Sequence, residues 1–354
     1  MPALADELLL DLFARHRNEL RLHCYRMLGS SHDADDVLQE TAVRAWRSKA
    51  SLLDVTHARA WLYRITTNVC LDELKSRRRR CLPFETGPAT SDPSAALGAA
   101  DREAFVEPCP DSWFGGVASD PAARFELHEG VRLAFVAALQ HLTPSQRATL
   151  LLRDVVGLSA EETAAALELG LQATNSALFR ARAAVEARLA HDARAPAQPA
   201  PPGSALQSLL ERYLAAWNQI DVEAFVGLLH EDVKTTMPPV ATWIAGKPDN
   251  VAFYRPMFAA QRPGAFVAVP TAANGQPAFA FYRALGAGAP HRLRAIQLVE
   301  VRDGSIVGID HFMLPELASA FDLPSELPDL LAGDAGDGRP CLDLALTAIQ
   351  RTKR

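Results

Sequence analysis

The stretch His32-Asp33-Ala34-Asp35-Asp36-Val37-Leu38-Gln39-Glu40-Thr41-Ala42-Val43-Arg44-Ala45-Trp46 places Asp33, Asp36 and Glu40 at i, i+3 and i+7. That spacing aligns three carboxylates on one helix face, with Gln39 and Arg44 beside them and Val37, Leu38 and Ala42 on the opposite side. An acidic stripe of this kind suits a protein partner, although a solvated helix face would carry the same pattern. Downstream, Trp61, Arg64, Asn68, Asp72 and Lys75 recur at three to four residue steps and form a polar, aromatic ridge over a stripe of Leu62, Ile65 and Val69. Arginine and lysine hold phosphates, and an aromatic ring or an amide can stack on or hydrogen-bond a base that has left the helix. The plainer reading makes Trp61 a core residue and Arg77-Arg78-Arg79-Arg80 a favourable helix end. Together, an acidic docking face directly before a basic ridge suggests a bridge between a large protein and DNA.

A third pattern lies further on. Thr143-Pro144-Ser145-Gln146-Arg147 precedes an apolar helix, Ser159-Ala160-Glu161-Glu162 is a capping start, and a longer polar helix carrying Gln172, Asn175, Ser176, Phe179, Arg180 and Arg182 follows Gly170. Short helix, glycine-containing turn and longer polar helix is the arrangement of a helix-turn-helix whose second helix enters the major groove, and a generic helical hairpin fits it too.

The elements that must position these residues divide the chain. At 354 residues with 49% hydrophobic content, it is long enough for two or three packed domains. A net charge of −6 argues against coating nucleic acid everywhere, so DNA contact must be local. No apolar run approaches the roughly 20 residues that span a bilayer, and Met1 to Leu12 carries Asp6, Glu7 and Asp11 where a signal peptide wants cations, so a cytoplasmic location is expected. The cysteines Cys24, Cys70, Cys81, Cys109 and Cys341 form no C-x-x-C pair and are expected to be reduced thiols, without a metal or cofactor site.

Residues 5–80 have a helical period, with Ser31 or Asp33 expected to cap the helix after Gly29. Residues 81–120, rich in Pro, Gly, Ala and acids, read as a flexible linker, residues 121–190 return to helix, and residues 191–203 form a Pro/Ala-rich spacer. Residues 204–330 mix helices with strands over Phe266–Val269, Ala278–Tyr282, Arg292–Val301 and Ser305–Phe312, with Arg302-Asp303-Gly304 as a hairpin turn. Residues 331–354 form a tail with a short terminal helix ending in Arg351, Lys353 and Arg354. The fold class expected is multidomain, two all-α domains followed by an α+β domain.

Over roughly residues 8–190 these stretches resemble the extracytoplasmic-function group of bacterial sigma-70-type RNA polymerase sigma factors. Asp-Ala-Asp-Asp-Val-Leu-Gln-Glu-Thr-x-x-Arg-Ala-Trp looks like the polymerase-binding signature of sigma region 2, and Ala60-Trp61-Leu62 through Asn68 looks like the segment that melts and reads the −10 element. Leu142-Thr143-Pro144-Ser145-Gln146-Arg147 and Ser176 to Arg182 resemble region 4, which binds the polymerase flap and reads the −35 element. The resemblance implies that Asp33, Asp36, Gln39, Glu40 and Arg44 meet the β′ clamp helices of core RNA polymerase. It implies that Asn68 lies at the pocket for an extruded base, with Trp61, Arg64, Lys75, Arg77 and Arg78 along the strand. Gln172, Asn175, Ser176, Phe179, Arg180 and Arg182 would face the −35 element, where Asn175 could pair with an adenine, a contact worth about 1 to 3 kcal/mol. Ala173 and Asn175 stand where the family often has Thr and Lys, and Ala177 replaces a frequent Arg, so fewer phosphate clamps follow.

Residues Ser204 to Leu327 resemble the SnoaL-like domains of the cone-shaped nuclear transport factor 2-like fold, through Trp217, Asp221-Val222, Leu228 to Val233 and the strand ending at His311-Phe312. In sigma factors that carry it, such a domain is a regulatory extension. Phe105-Val106-Glu107-Pro108-Cys109-Pro110-Asp111 looks like the tryptophan-leucine-proline-type linker motif of such factors, with Phe in place of Trp. The resemblance implies core RNA polymerase (β′ clamp helices, β flap) and promoter DNA as partners, no membrane, no catalysis, and a candidate small-molecule ligand for the cone. Two alternatives stay open. The cone could be an isomerase or hydrolase using His230, Asp232, Asp310 or His311, or the chain could be a DNA-binding regulator independent of polymerase.

Overall fold

The computed structural model describes residues 2–49, 58–90, 92, 98–115, 130–191, 203–262, 264–286 and 289–327. The terminal tail expected over 331–354, the spacer at 192–202 and residues 121–129 lie outside the described residues. The chain forms two compact units: Met1–Cys81 with Val106–Ala193, and Leu82–Phe105 with Arg194–Arg354.

In the helical unit, α1 (Pro2–Leu28), α2 (Ser31–Arg47) and α3 (Ala58–Leu74) pack on one another around Leu20, Leu38 and Leu62. The cap of α2 is Ser30, whose hydroxyl accepts from the Asp33 amide at 3.1 Å. Ser31 is already the first helical residue and Asp33 the third, so neither expected cap is in position to serve. The second half contributes α4 (Leu133–Gln140), α5 (Pro144–Leu150), α6 (Ala160–Leu167) and α7 (Leu171–His191), with a π turn over Leu151–Val155 between α5 and α6. Thr143 and Ser159 each close a capping box, with Gln146 and Glu162 respectively.

Residues 81–120 depart from the expected free linker. Leu82–Phe105 belong to the C-terminal unit and Val106 onward to the helical one. The first half lacks periodicity because it borrows a core: Trp243 Nε1 donates to the Gly87 carbonyl at 2.9 Å, and the Thr90 amide donates to the Trp243 carbonyl at 2.9 Å. Phe84 meets the Trp243 ring edge-on at 6.3 Å, and Ala100 bridges Val240. The second half docks on α1: the Val106 amide donates to the Cys81 carbonyl at 3.0 Å, and Tyr25 Oη donates to the Glu107 carbonyl at 2.8 Å. Trp113 is buried, with the Arg21 guanidinium 3.7 Å from its ring centre.

The C-terminal unit is a mixed sheet under helices. Its strands are β1 (Leu229–Met237), β2 (Val240–Ala245), β3 (Phe266–Ala273), β4 (Gln276–Arg283), β5 (His291–Arg302), β6 (Ser305–Phe312) and β7 (Glu326–Leu327). The sheet order is β2-β1-β6-β5-β4-β3, with β7 on β5; β1 and β6 run parallel and the other pairs antiparallel. The four expected strands are present as β3 to β6. Asp303 and Gly304, at φ 50° and 73°, make the hairpin turn whose positive φ values match the strand twist. Helices α8 (Gly203–Gln219), α9 (Val222–Val226), α10 (Lys247–Ala259) and α11 (Leu317–Ala320) complete the unit. Tyr213, Trp217, Phe225, Tyr254, Phe258 and Phe281 form its aromatic core.

Candidate nucleic-acid interface and docking face

The α2 stripe separates into two kinds of residue. Asp36, 63% exposed, and Gln39 stand in solvent, and Glu40 is half-exposed. Arg44 donates to Glu40 Oε1 and to Asp72 Oδ2, each at 2.8 Å, tying α2 to α3. These partners raise the Arg44 pKa, so its charge is permanent.

Asp33 corrects the sequence expectation. Its side chain is 7% exposed and is clasped by Arg77 and by Arg80, the latter at 2.9 Å. Burial pushes its carboxyl up, but the Arg77 hydrogen bond and the two arginine charges outweigh this and hold it below the ordinary carboxylate range. Asp33 therefore anchors the basic segment that follows α3 instead of facing a partner. Arg77, which also pairs with Glu73, is correspondingly committed to structure, while Arg78 and Lys75 are exposed.

A carboxylate not singled out as a site residue lies at the start of α2. Glu107 Oε2 accepts from the Ser30 hydroxyl at 2.7 Å, the Ser31 hydroxyl at 3.3 Å and the His32 amide at 3.3 Å. It satisfies the positive end of α2 from 75 residues away. The only signal for it in the sequence is a Glu inside a Pro-containing connection.

On α3, Arg64 is exposed and Trp61 and Asn68 are half-buried, so the expected ridge exists. Asp72 joins it, bound by Lys75 at 2.8 Å as well as by Arg44. On α7, Leu171, Gln172, Asn175, Ser176, Phe179 and Arg180 line one shallow groove. Phe179 is 76% exposed. Arg182 lies apart from that groove, its guanidinium bonded twice to Asp154 at 2.6 and 2.8 Å. Ala177, where the family often has Arg, is buried.

The four candidate acid–base residues of the cone do not converge. His230 and Asp232 pair with each other at 3.8 Å, the aspartate 92% exposed. Asp310 is buried and accepts from Thr236 Oγ1 at 2.7 Å, whereas His311, adjacent on β6 and hence on the other sheet face, meets Tyr254 Oη at 2.8 Å and Gln297 Nε2 at 2.8 Å. Burial depresses the His311 pKa to about 3, so the ring is neutral. Tyr213 bonds Gln297 in turn, extending a buried polar chain through the core. Among the described residues no cluster of His, Cys, Asp and Glu could hold a metal, and no helix is long and apolar enough to cross a membrane. Cys24, Cys70, Cys81 and Cys109 are buried.

Comparison with known proteins adds the following. A sigma-70 region 2 family model matches residues 12–80, a sigma-70 region 4 model residues 132–185, and a SnoaL-like domain model residues 210–309. The chain is 39% identical over 316 residues to the ECF RNA polymerase sigma factor SigG of Mycobacterium tuberculosis, covering 88% of this chain and 83% of the relative. It is 28% identical over 346 residues to SigJ of the same organism, covering 92% and 97%. The crystal structure of that organism's SigJ aligns with a TM-score of 0.56 at 23% identity over 89% of this chain and 99% of the other, a likeness of fold.

Proposed function

Because the chain belongs to the extracytoplasmic-function RNA polymerase sigma factors, we propose a division of labour among its surfaces. The protein binds core RNA polymerase and directs it to promoters. Asp36, Gln39, Glu40 and Arg44 dock on the β′ clamp helices, and Trp61, Arg64, Asn68, Lys75 and Arg78 handle the −10 strand. Gln172, Asn175, Ser176, Phe179 and Arg180 read the −35 element, and the start of region 4 meets the β flap. The mechanism is free-energy coupling: docking on core positions both regions, and binding of extruded bases offsets an unstacking cost of a few kcal/mol.

The observation that carries this reading is Arg44. It joins Glu40 of the docking helix to Asp72 of the −10 helix, so a partner seated on α2 fixes the orientation of α3. Run-off transcription with core polymerase, with and without the chain, tests it: promoter-dependent transcript is expected only with the chain, and its absence defeats the reading.

The protein acts in the cytoplasm, as an initiation factor and not as an enzyme. The dispersal of His230, Asp232, Asp310 and His311 supports the second point, and turnover by the cone would contradict it. The SnoaL-like unit acts in cis by holding residues 82–105 of the connection between regions 2 and 4. The contacts of Trp243 with Gly87 and Thr90, and of Arg102 with Glu316 at 2.7 Å, support that role. The family relationship supports a polymerase-dependent factor over a free-standing DNA-binding regulator.

A further inference from the structure

The motif Phe105-Val106-Glu107-Pro108-Cys109-Pro110-Asp111 has no part in the surfaces assigned above, yet from Val106 on it is built into the helical unit. Val106 and Cys109 are fully buried. Glu107 is gripped through its backbone as well as its side chain: its amide donates to the Gly29 carbonyl at 2.9 Å, and its carbonyl accepts from Tyr25 Oη at 2.8 Å. Gly29, at φ 70°, is the left-handed residue that ends α1 and lets Ser30 cap α2 at the next position. The motif therefore closes on the corner between α1 and α2.

From that corner it holds the first turns of α2 on their inward side. Glu107 Oε2 accepts from the Ser30 and Ser31 hydroxyls and from the His32 amide, one of the donors a helix start leaves without an intrahelical partner. The Arg80 guanidinium lies 2.9 Å from Asp33 and 3.8 Å from Glu107 Oε1, so one side chain bridges the third helical residue to the motif. A few residues on, Trp113 seats the Arg21 guanidinium 3.7 Å from its ring centre, and Arg21 in turn pairs with Asp35. Ser30, Ser31, Asp33 and Asp35 are thus all engaged, while their neighbours Asp36 and Gln39 stand in solvent. The far half of α2 has a separate anchor, since Arg44 ties it to Asp72 of α3.

We propose that Glu107 is a positioning residue for polymerase docking: with Arg80 and the Arg21–Trp113 pair, it holds the first turns of α2 in the orientation from which Asp36 and Gln39 meet core. This rests on the docking assignment made under Proposed function and adds the part of the chain that presents those residues. Without the carboxylate the first turn of α2 frays. Core must then order that turn as it binds, and the ordering cost lowers affinity although no docking side chain has changed.

The test measures core affinity of the full chain with Glu107→Ala and with Glu107→Gln, each alone and combined with Asp36→Arg and Gln39→Ala, at a temperature where every variant keeps the parent's far-ultraviolet circular dichroism. Glu107→Ala is expected to weaken core binding about fivefold or more and to speed amide exchange over residues 32–36 about tenfold or more, with α3 unchanged. Glu107→Gln, which retains an acceptor for Ser30, should recover most of both. In the background lacking Asp36 and Gln39, Glu107→Ala should cost less than about twofold further, because the residues it positions are already gone. Core affinity that Asp36→Arg with Gln39→Ala leaves at the parent's value sinks the docking assignment itself, whatever Glu107→Ala does. Where that pair of changes does weaken binding, the positioning role is overturned if Glu107→Ala leaves core affinity intact, if it costs the same in both backgrounds, or if exchange over residues 32–36 stays at the parent's rate.

Discussion

Glu107 caps α2 with three hydrogen bonds while lying 12% exposed in the chain that returns from the C-terminal unit. Removing the acceptor leaves Ser30 and Ser31, both fully buried, without it. Glu107→Ala should therefore cost about 1 to 3 kcal/mol in urea unfolding, and Glu107→Gln, which keeps one acceptor, distinctly less. Equal stability of the two variants would deny the carboxylate its capping role. The exposed stripe has the opposite expectation. Asp36→Arg with Gln39→Ala should leave the melting temperature within about 2 °C, since surface changes stay near ±0.5 kcal/mol, while lowering core affinity tenfold or more. Unchanged co-purification with core would remove these residues from the docking face. Histidines make a third case. His23, buried and beside Arg26, and His311, half-buried in the cone, are both depressed to about 3 by desolvation. An unfolded histidine binds its proton near 6.5, so between those values the unfolded state takes up more protons and stability falls as pH falls. Each ring should cost roughly 1.4 kcal/mol per pH unit below about 6.5, visible as a drop in melting temperature from pH 7 to pH 5. His23→Gln should flatten that slope for the helical unit, and a slope equal to the parent's would refute the assignment.

Among the elements, α3 carries the sharpest functional claim. Asn68, half-buried on its ridge, should matter when a base leaves the duplex and not when region 2 first meets it. Asn68→Ala is expected to lower permanganate reactivity of the −10 thymines severalfold with closed-complex affinity within about twofold, and matching losses in both would reassign the residue to general binding. The helices were legible because their periodicity and capping boxes are local: Thr143 with Gln146 and Ser159 with Glu162 sit three residues apart. Strands β3 to β6 were legible by alternation and by the Asp303-Gly304 turn. What escaped depends on distant partners. Asp33 follows the helical spacing of the docking stripe, yet Arg77 and Arg80, 44 and 47 residues on, turn it inward. β1, β2 and α10 were missed because the first half of β1 is the polar run His230-Glu231-Asp232, β2 is a short edge strand, and α10 contains Pro248 and Pro256. Phe84, Gly87 and Thr90 show no period because the core they join belongs to the cone.

At the scale of the molecule, the connection between regions 2 and 4 is held by two different structures, each of which can be loosened separately. Its later part, from Val106 to Phe114, is built into the helical unit through Glu107 and the buried Trp113. Its earlier part, from Leu82 to Phe105, depends on the cone, and most directly on Trp243, which receives Phe84, donates to Gly87 and accepts from Thr90. Cutting the second hold while sparing the first isolates what the cone contributes. Trp243 is only half-buried, and Ile244 beside it carries the core-facing side of β2, so Trp243→Ala should leave the sheet folded. Amide exchange over residues 84–90 is expected to accelerate tenfold or more, with β5 and β6 unchanged and core affinity within twofold, because the α2 stripe is not touched. Run-off output should then move at least threefold from the parent's, the direction telling whether the hold restrains or assists initiation. A released segment with unaltered output would mean that the cone's grip on the connection is structural only, and that cis control, if exerted by this unit, works through another surface.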